Sequence, residues 1–451
     1  MKLFGTDGIR GRANSRFMNP EAMLKIGAII GKLFTKEIST NRVIIGKDTR
    51  VSGYMIENAI TSGFLSSGKN VILTGPVPTP AVSFLTKSMR CDLGVMISAS
   101  HNPYYDNGVK FFLPSGEKFS RSLQAEIERL FFSQSIDAFF CDSLSIGRAK
   151  RIDEIGGRYI EFIKGFFPLN REFRNLRVVL DCANGANYKI APEILWELGI
   201  DVIVIGNNPN GNNINDNCGS THLDLLRETV IKSRADIGIA LDGDGDRIAV
   251  VDENGIIRDG DSIIAAIAMG KKKENSLKTN NIVTTHLSNG GMDLYLKNNG
   301  FNVFKSGVGD YNVYSKMLES DSFLGGEESG HVILRDAVPT GDGLLVGIQL
   351  LHFMIQEQKT ASELLSTFIP IPQYLDNIRF DNRPQIALEA EFEKICQKIS
   401  AEFKDSRLII RMSGTENLIR IMAETNGDGS EIVKMAELEI KKLMKQHCMI
   451  D

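Results

Sequence analysis

The sequence predicts an α/β fold: three consecutive α/β domains with mixed, mostly parallel sheets, followed by a C-terminal α+β domain. Three observations support this prediction. Short apolar runs alternate with helical apolar spacing three times before Pro370, which is typical of βαβ units. Pro370-Ile-Pro372 then interrupts the pattern. Beyond it the chain changes to one charged helix, two strands and a final amphipathic helix.

The predicted elements follow in order along the chain. In the first domain they are strands at 43–46, 71–74, 93–97 and 109–112, with a helix over 53–67. In the second they are a strand starting near Arg177, a helix at 191–198, and strands at 202–205, 237–241 and 248–251. In the third they are strands at 282–285, 302–304 and 323–326 and a helix at 343–355. The tail has a helix at 387–403, strands at 407–412 and 419–423, and a helix at 431–445. The predicted domains are 1–155, 156–257, 258–370 and 371–451.

Composition excludes several classes of protein. The 451 residues are 42% hydrophobic and 24% charged, and the net charge is only -4, so a nucleic-acid partner is not expected. No stretch of 18 apolar residues is present and the N-terminus lacks a signal-peptide core, so no membrane partner is expected. The six cysteines are scattered without a CxxC pair, which favours reduced thiols and a cytoplasmic location.

The densest group of reactive side chains follows the apolar run Leu93–Ile97. Ser100 and His101 lie directly before the turn signal Asn102-Pro103, and Lys110 follows ten residues after the serine. A serine in such a segment is most often part of an ordinary turn. The end of a buried strand is also where α/β proteins place their chemistry, which makes Ser100 a candidate nucleophile.

An acidic loop supplies a candidate metal site. Asp242, Asp244 and Asp246 alternate with glycines, which lets the three carboxylates converge on one hard cation such as Mg²⁺ or Ca²⁺. An EF-hand is excluded because Arg247 occupies the sixth position, where that loop needs glycine, and because the flanking segments are strands.

Two further loops carry binding groups. Arg411-Met-Ser-Gly-Thr-Glu-Asn-Leu-Ile-Arg420 combines arginines, hydroxyls and backbone amides, which suits a phosphate or a carboxylate. Gly325-Gly-Glu-Glu-Ser-Gly-His331 offers carboxylates, a hydroxyl and an imidazole, which suit vicinal sugar hydroxyls. Arg10 and Arg50 add cations to the first domain and are candidates for the same cleft.

Together the motifs resemble those of the α-D-phosphohexomutase superfamily over essentially the whole chain. SASHNP is similar to its phosphoserine loop, DGDGDR to its metal loop, GEESGH to its sugar loop and RMSGTENLIR to its phosphate loop. FGTDGIRG, TGPVPTPAV and NGNNINDNCGSTH resemble the bacterial phosphoglucosamine mutase family within it. The resemblance implies four domains around a central cleft and interconversion of glucosamine 6-phosphate and glucosamine 1-phosphate, feeding UDP-N-acetylglucosamine and cell-wall precursor synthesis.

The resemblance also implies roles for individual residues. Ser100 would carry a covalent phosphate and would share one Mg²⁺ with Asp242, Asp244 and Asp246. Lys110 and His331 are the acid/base candidates, and Arg10 and His101 complete the expected catalytic group. The substrate, a hexosamine phosphate, would be bound by Arg247, Glu327, Ser329, Arg411, Ser413, Gly414, Thr415 and Arg420. The fourth domain is expected to hinge, and a homodimer is expected from family habit alone.

Alternatives remain at this point. Glu328 stands where the glucosamine branch usually carries Gln, and Asn417 stands where Pro is usual. A phosphoglucomutase or phosphomannomutase would use the same chemistry on another sugar. A non-catalytic sugar-phosphate or Ca²⁺ binding protein and a metal-dependent phosphatase are the alternatives from other classes.

Overall fold

The computed structural model describes residues 2–5, 7–34, 40–167, 173, 176–381, 388–403, 405–412 and 417–447. Its backbone divides into two compact units. The first comprises Met1–His286 and Gly300–Thr367, and the second comprises Leu287–Asn299 and Phe368–Asp451. The boundaries expected after residues 155, 257 and 370 stay predictions.

The first unit begins with a six-stranded mixed sheet in the order β1-β5-β4-β2-β3-β6. Its strands are β1 (Ile9–Arg12), β2 (Arg42–Lys47), β3 (Asn70–Pro76), β4 (Leu93–Ile97), β5 (Asp106–Phe112) and β6 (Ala149–Arg151). Its helices are α1 (Pro20–Leu33), α2 (Ser52–Ser66), α3 (Thr79–Ser88) and α4 (Arg121–Ser133), followed by a 3₁₀ turn at Ile136–Phe139. Strands β3, β2 and β4 run parallel, and β5 returns antiparallel beside β4.

Two further sheets complete the first unit, in the orders β11-β10-β9-β7-β8 and β13-β12-β14-β15. The segment that forms the five-stranded sheet contains α5 (Gly156–Lys164), β7 (Arg177–Asp181), α6 (Ile190–Glu197), β8 (Asp201–Ile205), α7 (Asp224–Ser233), β9 (Ile237–Leu241), β10 (Ile248–Asp252) and β11 (Ile257–Arg258). The segment that forms the other sheet contains α8 (Gly260–Lys273), β12 (Asn281–Thr285), β13 (Asn302–Ser306), α10 (Asp310–Glu319), β14 (Leu324–Gly326), β15 (Val332–Leu334), α11 (Gly343–Glu357) and α12 (Ala361–Leu365). Between β12 and β13 the chain forms α9 (Gly290–Asn298), which belongs to the second unit.

The second unit contains α9 and a three-stranded antiparallel sheet in the order β16-β18-β17. The remaining elements are β16 (Gln373–Arg379), α13 (Glu389–Glu402), β17 (Ser406–Met412), β18 (Leu418–Thr425) and α14 (Gly429–Gln446). Both long helices pack on the sheet through buried Phe392, Ile399, Ile432 and Ile440. Burial of one apolar stripe per helix explains why these amphipathic segments fold here.

The predicted fold class is confirmed. Apolar strand residues such as Val43, Ile45, Val95 and Ile97 are fully buried in the first core, as strands covered by helices on both faces require. Five strands were not predicted from the sequence: β1, β6, β11, β15 and β16. β1 has Ile9 as its one large apolar residue, β6 is exposed and polar, β11 and β15 are only two and three residues long, and β16 alternates weakly. None of them produces the strong apolar run on which the prediction depended. No helix among the described residues is long and apolar enough to cross a membrane.

Candidate active site

Ser100 lies three residues beyond the end of β4, in a loop that the rest of the first unit holds tightly. Its backbone is left-handed, with φ 56°, a conformation that serine seldom adopts. The side chain of Ser98 stabilises it, since its hydroxyl accepts a hydrogen bond from the Ser100 amide (2.9 Å) and donates one to Asp48 (2.6 Å). Only 1% of Ser100 is exposed.

Arg50 forms the floor of this loop. Its guanidinium is fully buried and donates to the carbonyl oxygens of Ser100 (2.9 Å), Asn102 (2.8 Å) and Asp106 (3.0 Å), and also to that of Pro103. Its Nε donates to Asp48 at 2.8 Å. The sequence marked Arg50 only as a candidate cation for the cleft, whereas in the structure it fixes the backbone that carries Ser100.

The three aspartates of the acidic loop converge as predicted. They occupy the connection between β9 and β10, they are buried, and each offers an oxygen within 4.8 Å of the others. The Ser100 hydroxyl donates to Asp242 Oδ2 at 2.5 Å. Thr79, at the start of α3, donates its amide and its hydroxyl to Asp244 at 2.8 and 2.6 Å. The loop therefore brings the serine and the carboxylates together.

A network of cations surrounds these carboxylates. Lys110 Nζ lies 2.8 Å from Asp244, 2.7 Å from Asp246 and 3.1 Å from Asp7. Asp7 also pairs with Arg10 at 2.8 Å and with Lys118 at 2.7 Å, and Lys118 forms a further ion pair with Asp310 of α10. The alternation of signs offsets the desolvation of so many buried charges.

This network shifts several pKa values. Burial and the neighbouring charges of Asp246 and Asp244 raise the pKa of Asp242 well above its ordinary value. Burial would also raise the pKa of Asp246, but Lys110 and the other cations outweigh burial and lower it. For Lys110 burial acts to lower the pKa, yet Asp244, Asp246 and Asp7 prevail and raise it well above its ordinary value. Lys110 is therefore a cation at neutral pH and a poor proton acceptor.

His101 differs from Lys110. Its Nδ1 lies 3.3 Å from the Ser100 hydroxyl. Burial, together with the charges of Arg247 and Arg10, lowers its pKa to about 4. The ring beside Ser100 is thus neutral at pH 7 and can exchange a hydrogen bond with the serine oxygen.

The donor set of the acidic loop fits a hard divalent cation. Asp244 Oδ1 and Asp246 Oδ1 are buried and have no hydrogen-bond partner among the described residues. Buried carboxylate oxygens of this kind are costly unless a cation or a donor satisfies them. With Asp242 they form an all-oxygen set, which Mg²⁺ prefers to softer ligands.

The sugar-facing loop joins β14 to β15. Glu327 is buried and its Oε1 accepts the Gly309 amide at 2.8 Å, whereas Ser329 is exposed. His331 is 2% exposed, and neither ring nitrogen has a hydrogen-bond partner among the described residues. Its backbone bridges to that of Arg247, directly after the acidic loop. The imidazole therefore belongs to the same region of the first unit as the aspartates.

The expected phosphate loop lies in the second unit. Arg411 is the second-last residue of β17 and is paired with Arg420 of β18 in the antiparallel register. The two guanidinium-bearing residues are therefore direct cross-strand neighbours. Ser413, Gly414 and Thr415, predicted for the same site, lie outside the described residues.

Several contributing residues escaped sequence reasoning. Asp7 forms ion pairs with Arg10, Lys110 and Lys118. Lys118 bridges Asp7 to Asp310, and Asn215 donates a hydrogen bond to the Ser100 loop. The available signals were weak: Asp7 lies in FGTDGIRG and Asn215 in NGNNINDNCGSTH. Those motifs supported the resemblance but contained no pattern that assigned a contact.

The fold is that of known sugar-phosphate mutases. Family models of phosphoglucomutase/phosphomannomutase match in order: alpha/beta/alpha domain I at residues 1–137, domain II at 157–255, domain III at 259–370 and the C-terminal domain at 375–442. The chain therefore belongs to the phosphoglucomutase/phosphomannomutase family.

Its curated relatives include proteins named phosphoglucosamine mutase. The one from Roseobacter denitrificans is 50% identical over 425 residues, covering 94% of each chain. The one from Sphingopyxis alaskensis is 48% identical over 437 residues, covering 97% of this chain and 98% of its own.

Solved structures show the same fold at lower identity. A phosphoglucomutase/phosphomannomutase family protein from Burkholderia thailandensis has a TM-score of 0.80 at 22% identity, covering 99% of this chain and 97% of its own. Aspergillus fumigatus N-acetylphosphoglucosamine mutase, solved in complex with GlcNAc-6P and magnesium, has a TM-score of 0.65 at 18% identity, covering 99% and 95%.

Proposed function

We propose that this chain is a phosphoglucosamine mutase that interconverts glucosamine 6-phosphate and glucosamine 1-phosphate. The observation that carries the proposal is the Ser100 hydroxyl, 2.5 Å from Asp242 in a buried triad of aspartates. The relatives at 48–50% identity support the sugar, since they bear that name. The complex of the Aspergillus enzyme with GlcNAc-6P and magnesium is a precedent for the substrate class and the cation.

Ser100 is the phosphoryl carrier in this proposal. The phosphoryl group passes from the serine oxygen to the free hydroxyl of the sugar monophosphate. That hydroxyl gives its proton to the base, the freed serine oxygen takes up a proton, and a sugar bisphosphate forms. The other phosphoryl group then passes to Ser100, whose hydroxyl loses its proton while the freed sugar oxygen gains one, and the isomeric monophosphate leaves. The left-handed loop, held by Arg50 and Ser98, presents the oxygen to the acidic triad throughout.

Asp242, Asp244 and Asp246 would hold the divalent cation. When bound, this cation neutralises charge on the phosphoryl oxygens. The protein contributes the neighbouring positive charges. Lys110 forms ion pairs with Asp244 and Asp246, and the charges of Arg10 and Arg247 act on carboxylates of the same triad. Preorganised cations of this kind stabilise the transferring group without reorganisation during the reaction.

The two acid/base candidates, Lys110 and His331, have different properties. The neighbouring carboxylates hold Lys110 as a cation and raise its pKa, which suits it to donate hydrogen bonds rather than to release its proton. His331 is buried and has free ring nitrogens within the described part of the chain, so it is the better candidate for the base. Glu327 and Ser329 would bind ring hydroxyls, and Arg411, Ser413, Gly414, Thr415 and Arg420 would bind the non-reacting phosphate.

The test is mutase turnover with a sugar bisphosphate primer. Ser100→Ala is expected to lose nearly all conversion of glucosamine 6-phosphate, because no oxygen remains to carry the phosphoryl group. Ser115→Ala is the matched control: Ser115 is exposed and bonds only to Glu117 among the described residues. Turnover by Ser100→Ala would exclude the phosphoserine mechanism.

The sugar is tested separately. We expect kcat/KM for glucosamine 6-phosphate to exceed the values for glucose 6-phosphate and mannose 6-phosphate. A preference for either of the other sugars would keep the mechanism and reject the amino-sugar assignment, to which Glu328 is the relevant departure.

A further inference from the structure

The asparagine-rich segment 207–218 reaches the serine loop from another part of the first unit. Asn215 is buried, and its Nδ2 donates to the carbonyl oxygens of Ser100 at 2.9 Å and of Asn102 at 3.1 Å. The two residues are 115 positions apart in the chain. Both carbonyl oxygens also accept a hydrogen bond from Arg50, so the loop is held from two sides.

The backbone of Asn215 is fixed beside the acidic loop. Its backbone N–H donates to the Ala183 carbonyl at 2.9 Å, and its conformation is left-handed, with φ 57°. Gly243, between the first two aspartates, packs against the same place: a Cβ there would lie 2.6 Å from the Ser100 carbonyl and 2.9 Å from Asn215 Nδ2. The serine loop, the asparagine and the acidic loop thus meet at a point without room for another atom.

We propose that Asn215 is a positioning residue for phosphoryl transfer, which ties the left-handed Ser100 loop to the acidic triad. Arg50 belongs to the same domain as Ser100 and fixes the shape of the loop. Asn215 instead fixes where the loop sits relative to Asp242. This inference rests on the proposed function, because its effect is on the transfer step at Ser100.

The consequence is specific to transfer rather than to sugar binding. Without the side-chain amide of Asn215, the Ser100 carbonyl oxygen still accepts a hydrogen bond from Arg50 but loses its bond to the segment beside the aspartates. A displacement of the carrier oxygen by about 1 Å lowers the rate of a preorganised reaction by up to about 100-fold. Among the described residues, the side chain of Asn215 donates to Ser100 and Asn102 and not to the sugar-facing Glu327 or His331. The KM for the sugar is therefore expected to change little.

Asn217 provides a matched control in the same segment. It is also left-handed, with φ 51°, but it is exposed and its side chain donates only to Asp216 among the described residues. Replacing either asparagine therefore carries the same backbone cost. Only replacement of Asn215 removes the bonds to Ser100 and Asn102.

The experiment uses the full chain with Mg²⁺ and glucose 1,6-bisphosphate as the phosphoryl donor. The rate at which Ser100 gains a phosphoryl group is followed by intact-mass spectrometry, and kcat and KM are measured on glucosamine 6-phosphate. Asn215→Asp and Asn215→Ala are expected to lower phosphorylation and kcat about 10- to 100-fold, with KM within about twofold. Asn217→Asp and Asn217→Ala are expected to match the wild type.

Equal phosphorylation rates in the Asn215 and Asn217 pairs would overturn the inference, as would an Asn215 effect confined to KM. If Asn215→Ala fails to fold, Asn215→Asp, which keeps the volume and the left-handed tendency, carries the test. A wild type that phosphorylates Ser100 but does not isomerise the sugar would reject the proposed function while still testing Asn215.

Discussion

Replacement of Arg50 by lysine tests the foundation of the serine loop. The Arg50 guanidinium uses all five of its N–H groups: one on Asp48 and four on the carbonyl oxygens of Ser100, Asn102, Pro103 and Asp106. An ammonium has three donors, so at least two buried acceptors lose this partner. Several of these acceptors keep another donor, so the cost is that of the lost bonds to a charged group. At about 1.5–3 kcal/mol for each such bond, we expect a loss of about 3–6 kcal/mol.

The loss is measured as the change in free energy of the first urea-unfolding transition, followed by circular dichroism. Arg42→Lys is the matched control, since Arg42 is exposed and the one side-chain hydrogen bond that it makes among the described residues, to the Met89 carbonyl, is 3.5 Å long. We expect that control to change stability by less than about 0.5 kcal/mol. A change of less than about 1 kcal/mol in Arg50→Lys would refute the reasoning that Arg50 holds this loop.

Three further predictions address the metal site and the titrating groups. Asp242→Asn is expected to weaken Mg²⁺ binding by at least about tenfold in calorimetric titration, because the triad loses a charged ligand; unchanged affinity would remove Asp242 from the metal site. The His101 ring is expected to titrate in NMR at about pH 4, since burial and then Arg247 and Arg10 lower its pKa; a midpoint near 6.5 would contradict that environment. Asp342, buried against Tyr159 at 2.6 Å, has its pKa raised by burial from 3.8 to about 6. Because the folded protein then binds this proton more tightly than the unfolded chain, wild-type stability from this group falls as pH rises from about 4 to about 6. The free energy of unfolding of Asp342→Asn is therefore expected to increase relative to that of the wild type over that range, by up to about 3 kcal/mol at pH 7 in urea unfolding. A stability difference between the two proteins that does not change with pH would exclude a raised pKa at Asp342.

The sequence by itself determined what depends on near neighbours in the chain. The strands β4, β9 and β10, the turn at Asn102-Pro103 and the alternating aspartates follow from apolar periodicity and local turn chemistry. The acidic loop was predictable for the same reason, because its three aspartates lie within five consecutive residues. Resemblance added roles, but not distances.

Only the tertiary structure decided which distant side chains complete the site. It placed Ser100 on Asp242 across 142 positions, Lys110 between Asp244 and Asp246, and the Asn215 amide on the Ser100 carbonyl. These contacts depend on the order of strands in two sheets and on the loops at their ends. No periodicity in the sequence encodes that order, since it results from packing of the apolar faces as a whole.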